Sequence, residues 1–188
     1  NRDELKNIAR FFHKVNQGVI NAIGDESVPL VLAGVDYLLP LYQDANTYPH
    51  LLEEGIQGNP DDVRSKELHQ KAWEIIEPLV QEHRQEMIET YQALSETEET
   101  SDRLPVVVPA AHHARVSTLF VPKDQQVWGF YDPATDTVMQ QKSENPHSRD
   151  LIDDAVIHTL QNGGNVLVLP EEDMPGGDGR SIAAIFRF

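Results

Sequence analysis

The sequence predicts an α/β chain in which helices and short apolar strands pack in layers. Three observations carry that expectation. Apolar residues recur at three- and four-residue steps over 3–23, 68–94 and 152–160, as on one face of a helix. Short apolar runs rich in β-branched residues stand between these stretches, as in "VPLVLAGV", "STLFV" and "NVLVLP". Helical and strand-like segments alternate along the chain rather than segregating, and no internal repeat is visible.

The first helix rests on Leu5, Ile8, Phe12, Val15, Val19 and Ile23, which share a face, and Gly24 stops it. "VPLVLAGV", residues 28–35, predicts a buried strand entered through Pro29, with a sharp turn at Gly34. "DYLLPLYQDANTYPHLLEEGI" predicts a looser helical stretch broken at Pro40 and Pro49, and "GNPDD" a turn. The longest helical pattern places Leu68, Ala72, Ile75, Ile76, Leu79, His83, Met87, Tyr91 and Leu94 on one face. Pro78 inside it is expected to kink or divide the helix. "SETEETSD" predicts an acidic loop.

The second half changes character. "STLFV" and "QVWGFY" predict strands, and "DPATDT" predicts a hairpin turn leading into "VMQQ". "SENPHSRD" reads as a loop. "DLIDDAVIHTLQNGG" predicts a helix whose Ile152, Ala155, Val156, Thr159 and Leu160 face the core. Asp150, Asp153 and Asp154 suit the positive end of its macrodipole, and Gly163 and Gly164 supply a left-handed stop. "NVLVLP" and "SIAAIFRF" predict two more strands, joined by the loop "EEDMPGGDG".

The 188 residues suffice for one large domain or two small ones with a real core. No apolar run approaches the roughly 18 residues of a membrane span. The start, "NRDELKNIARFF", is charged and helical, unlike a secretory signal; lacking an initiating Met, it predicts a fragment or a processed form. Cysteine is absent, which excludes disulfides, thiolate chemistry and cysteine-bound zinc, and leaves the cytoplasm as the expected compartment. A net charge of −16, from 15 basic and 31 acidic side chains, repels phosphate backbones and argues against duplex binding through a broad basic face.

Candidate chemistry is sparse. His112 and His113 are adjacent, so on a regular element they cannot share a metal; a helical pair needs a three- or four-residue step. As a general base, either would need a nucleophile and an orienting carboxylate from elsewhere. Asp150, Asp154 and His158 form a stripe at four-residue steps. Asp154 could orient His158, but the spacing favours a solvated face with an ordinary i,i+4 pair. "MPGGDGR" lacks both the following helix and the Lys-Ser or Lys-Thr of a phosphate cradle, and reads as a flexible surface loop whose amides and Arg180 can meet a partner. "NGGN" reads as a helix stop. Trp128 and Phe130 share a strand face, open to base stacking but more commonly used for packing.

Three of these stretches together resemble one family. "VPLVLAGVDYLLPLYQ" is similar to a strand and helix in the middle domain of archaeal and eukaryotic class I peptide-chain release factors and of Pelota. "PAAHHARVSTLFV" is similar to a helix-then-strand of their C-terminal domain, and "GGDGRSIAAIFRF" to its closing strand. Order and spacing agree over the whole chain, most closely with bacterial and archaeal release-factor-like proteins.

The resemblance implies that residues 1–78 form the C-terminal part of a ribonuclease-H-like middle domain. Residues 79–188 would form a three-layer α/β/α sandwich like that of kink-turn-binding ribosomal proteins, with Pro78 near the junction. His112, His113 and Arg115 would then close a helix, and Val116 to Val121 would enter the central sheet. The family's catalytic Gly-Gly-Gln loop has no match here and would fall upstream of Asn1, and the Gly-x-Asn-Glu signature of kink-turn binders is also missing.

The expected function is that of a translation-associated factor that docks on the ribosome or a translation-associated protein, with direct RNA contact only weakly supported. No catalytic residue, cofactor, metal or membrane is implied, and the oligomeric state is open. Arg115, Gly176, Gly177 and Arg180 are the candidate partner contacts. An interaction module unrelated to translation, and a hydrolase using His112 or His158, are the rival expectations.

Overall fold

In the computed structural model every residue except Asn1, Asp25 and Asp178 is described. Contacts divide the chain into two units, Asn1–Gln81 and Glu82–Phe188.

In the first unit, helix α1 (Arg2–Ile23) is followed by strand β1 (Ala33–Gly34), helix α2 (Leu38–Ala45) and strand β2 (Ile56–Gln57). The apolar stripe of α1 meets α2, where the rings of Phe12 and Tyr42 stand edge to face, 5.5 Å apart. Asn16, buried on α1, donates from Nδ2 to Thr47 Oγ1 at 2.8 Å. The buried Tyr48 hydroxyl donates to the Val28 carbonyl at 2.6 Å. The strand expected over 28–35 is shorter than its composition suggests. Only Ala33 and Gly34 form it, parallel to β2, with a single bridge from Leu30 to Leu51. The physical reason is its partner. Residues 51–56, expected to be loosely helical, leave the helical state beyond α2, where Pro49 follows the extended Asn46, and with Gln57 offer only a few residues to pair with.

Helix α3 (Ser65–Leu94) runs through Pro78 without a break, so the expected division does not occur. Proline removes one backbone donor and frees the carbonyl four residues earlier. Both Pro78 and Glu74 are exposed.

The second unit contains the last turns of α3, then β3 (Thr100–Ser101), α4 (Leu104–His112), β4 (Val116–Pro122), β5 (Trp128–Asp132), β6 (Thr137–Gln140), β7 (Arg149–Asp150), α5 (Leu151–Gln161), β8 (Asn165–Leu169) and β9 (Ala183–Phe186). One sheet has the order β3-β9-β4-β8, with β4 parallel to β8 and antiparallel to β9. A smaller sheet, β6-β5-β7, holds the expected hairpin.

Period-two alternation sorts the side chains of the larger sheet. Leu119 and Val121 of β4, with Ala184 and Phe186 of β9, pack on Val107, Val108, Leu151 and Ile152 of α4 and α5. Phe120, Ala183 and Ile185 point the other way, onto Tyr91 of α3. Helices therefore cover both faces, and Leu119, Phe120 and Val121 are consecutive apolar residues because both faces of β4 are buried there. Burying Phe120 completely contributes about 2–3 kcal/mol. A bulge at Ser117 lets two steps along β4 match one along β9, and the Ser117 hydroxyl donates to the Ile185 carbonyl at 2.9 Å. β8 lies at the sheet edge, and Val168 on it is exposed.

Candidate functional site

The end of α4 places the two histidines. Ala114 adopts a left-handed conformation (φ 59°), while the amide of Arg115 reaches back to the Ala110 carbonyl at 2.8 Å and that of Ala114 to Ala111 at 3.1 Å. This is a Schellman ending with alanine where glycine is usual. The chain then turns directly into β4.

As neighbours on a helix, His112 and His113 diverge. His113 reaches the β5–β6 hairpin, with Nε2 3.0 Å from Asp136 Oδ1. His112 turns toward α5, with Nε2 2.6 Å from Asp154 Oδ2. One turn further along α5, His158 Nε2 lies 4.0 Å from Asp154 Oδ1. The imidazoles of His112 and His158 lie against each other, centroids 3.6 Å apart and planes 32° apart. The side chains are only 20 %, 14 % and 32 % exposed for His112, Asp154 and His158. The face expected to be solvated is therefore a half-buried junction between α4 and α5. Helix periodicity put Asp154 and His158 together correctly, but it could not show that α4 covers them. Asp150 leaves the stripe altogether. Its carboxylate caps α5, accepting from the amides of Ile152 at 3.0 Å and Val127 at 3.1 Å.

Tyr131 on β5 completes the cluster, its ring 4.3 Å from that of His112. Its hydroxyl donates to Asp136, which also accepts from His113 when that ring carries the proton. Burial first, then this hydrogen bond and the charges of Asp136, Asp132 and Asp154, push the Tyr131 phenol up to about 12. The bonds from Tyr131 and His113 hold the Asp136 carboxyl below its ordinary range. A cavity of about 380 Å³ opens beside His112 and Asp154, with Phe130, Tyr131, His147 and Arg149 around it. The arrangement offers two imidazoles and a carboxylate to one point, next to a space that admits water or a small ligand.

The candidate contacts read from sequence lie elsewhere. Arg115 holds the last residue of the chain, donating from Nη2 to the Phe188 carbonyl at 3.1 Å, with its guanidinium 5.6 Å from the Phe186 ring centroid. Arg180 pairs with Asp102 at 3.0 Å and donates from Nε to the Gly176 carbonyl at 3.3 Å. Gly176 and Gly177 take positive φ of 95° and 98°, open to glycine and strained for other residues. The loop expected to be flexible is thus tied down at both ends, since Met174 is also buried; Asp178 within it lies outside the described residues. Arg115 flanks the end of β9 and Arg180 precedes its start, so they stand toward opposite ends of that strand and do not form one site. Trp128 is half-buried and Phe130 exposed. The sequence alone missed the meeting of His112 with Asp154 and His158. The signal available was a histidine at each of two helix positions flanking the same buried strand.

Residues 1–115 match the model of bacterial archaeo-eukaryotic release factor family 3. No curated protein matches the chain. Among solved structures, the fold is similar to an archaeal Pelota chain from a model of ribosome-bound Pelota and ABCE1, with a TM-score of 0.54 and 15% identity, over 95% of this chain and 49% of that one. Weaker likenesses are to the C-terminal domain of a peptide chain release factor from Methanosarcina mazei (TM-score 0.48, 13% identity, 65% of this chain and 93% of that one) and to the archaeal termination factor aRF1 (0.39, 18%, 95% and 50%). This chain thus spans about half the length of the Pelota chain.

Proposed function

Because the chain belongs to bacterial archaeo-eukaryotic release factor family 3, we propose that it is part of a translation-associated factor that docks on the ribosome or on a ribosome-bound protein, in release or rescue. The family match carries this reading. The likeness of fold to the Pelota chain supports it, since that chain is described on the ribosome. In this reading residues 1–78 are the remainder of a middle domain and residues 79–188 a C-terminal domain that binds partners. The compartment is the cytoplasm, where ribosomes work. No described helix is long and apolar enough to cross a membrane.

The charge of −16 directs the choice of partner toward protein surfaces rather than phosphate backbones. Arg180 is the contact we favour. It is nearly half exposed, and its positive-φ glycine loop is braced on Asp102, so a partner meets a preformed shape. Co-sedimentation through a sucrose cushion tests the reading. The chain should pellet with ribosomes at low salt, and Arg180→Ala should weaken pelleting several-fold while Arg115→Ala changes it little. A chain that stays in the supernatant at low and moderate salt, with ribosomes from growing and from starved cells, ends this proposal. Recovery of only non-ribosomal partners would favour the rival reading, an interaction module unrelated to translation.

A further inference from the structure

We propose that His112, Asp154 and His158 form a binding site for a divalent transition-metal ion, zinc being the best match to the donor set. Each residue offers one ligand atom, and the three atoms lie within 4.8 Å of one another. Both imidazoles turn Nε2 toward the same carboxylate, at 2.6 and 4.0 Å. A tetrahedral zinc with bonds of about 2.0–2.1 Å has edges of roughly 3.4 Å; the two separations, made to the two different oxygens of Asp154, lie on either side of that value. Two neutral nitrogens and one carboxylate oxygen suit zinc or a neighbouring first-row ion, and not magnesium or calcium, which take oxygen shells.

The surroundings support a ligand site over a structural contact alone. The His112–Asp154 pair by itself would tie α4 to α5, but His158 makes no hydrogen bond within 3.5 Å among the described residues, though it is two-thirds buried beside a carboxylate. Coordination requires the two ring planes to turn so that their in-plane lone pairs meet the ion. His158, held by no hydrogen bond, is the ring free to do so. Three protein ligands leave a fourth position open, as in catalytic rather than purely structural zinc sites. The cavity of about 380 Å³ adjoins His112 and Asp154, so that position can take water or an anionic group, with Arg149 and His147 on the cavity wall to receive it. The ligands come from two helices already packed against the β4 face, so little chain entropy is lost when the ion binds.

The test uses the whole chain, stripped with chelator and titrated with zinc chloride alone by calorimetry, and with cobalt(II) followed by its visible absorption. The expected result is one saturable site per chain and the intense bands of four-coordinate cobalt. His158→Ala and Asp154→Asn should each weaken binding at least tenfold. His113→Ala, which removes a histidine outside the ligand set and the cavity wall, should leave it unchanged. Because His158 has no hydrogen bond to lose, His158→Ala should keep the far-ultraviolet circular dichroism of the parent, which separates lost binding from lost folding. Absence of saturable binding at 100-fold excess of metal, or equal weakening by His113→Ala, overturns the assignment. The outcome is independent of ribosome docking.

Discussion

His112 Nε2 and Asp154 Oδ2 approach to 2.6 Å although 42 residues separate them in sequence. Neither side chain is more than about a fifth exposed, so the pair is shielded enough to matter and fixes the end of α4 against α5. Charged hydrogen bonds of this kind are worth about 1.5–3 kcal/mol. His112→Ala and Asp154→Ala should each lower the stability measured by urea unfolding by about 1–3 kcal/mol. The double variant should fall short of their sum by about 1 kcal/mol or more. Strict additivity would mean that the two side chains do not interact.

Gly129 lies where β5 passes over α5. A methyl group there would press on the Met139 carbonyl and stand 2.7 Å from Leu151 Cδ1, with the Gln140 Cα at 3.1 Å. Two of the three neighbours are backbone, which cannot swing aside. Gly129→Ala should therefore destabilise the chain by about 1–3 kcal/mol and loosen the β5–β6 hairpin. Gly163 makes a useful contrast. It sits at φ +69° with nothing near its missing side chain, so alanine there should cost only the left-handed backbone strain, about 1 kcal/mol. A smaller loss at 129 than at 163 would refute the close packing.

The Tyr131 phenol is raised from 10.0 to about 12. Folding disfavours its ionised form, so its contribution to stability is complete below pH 10 and is lost as pH rises from 10 toward 12. In a difference titration between the parent and Tyr131→Phe, the missing tyrosinate signal should have its midpoint near 12. Asp136→Asn should lower that midpoint only in part, because burial, the larger cause, remains. A midpoint at 10 in the difference curve would show that the phenol is freely solvated.

Legibility from sequence follows the range of the forces involved. α1, α5 and β4 could be read directly, because helix periodicity, the acidic first turn of α5 with its Gly163 stop, and the apolar Leu119 to Val121 are local signals. The run from Val28 to Val35 misled, because a strand's length is set by its partner, and residues 51–57 supply few pairing positions. Pro78 does not divide α3 in two; whether a proline ends a helix depends on how the freed carbonyl is served, which composition does not reveal. At the site, sequence spacing joined Asp154 to His158 and separated His112 from His113, both correctly. The contact that matters crosses from one helix to another, and periodicity within a helix says nothing about its neighbour.

The alternation along β4 has an evolutionary corollary. Adding or deleting one codon between Thr118 and Val121 would hand Phe120 to the layer built for Leu119 and Val121, and do the reverse to them. The strand already carries one extra residue at Ser117. Lineages descended from this chain should keep that stretch at fixed length and accumulate their length changes in the connection between β6 and β7, residues 142–148, which pairs with no strand.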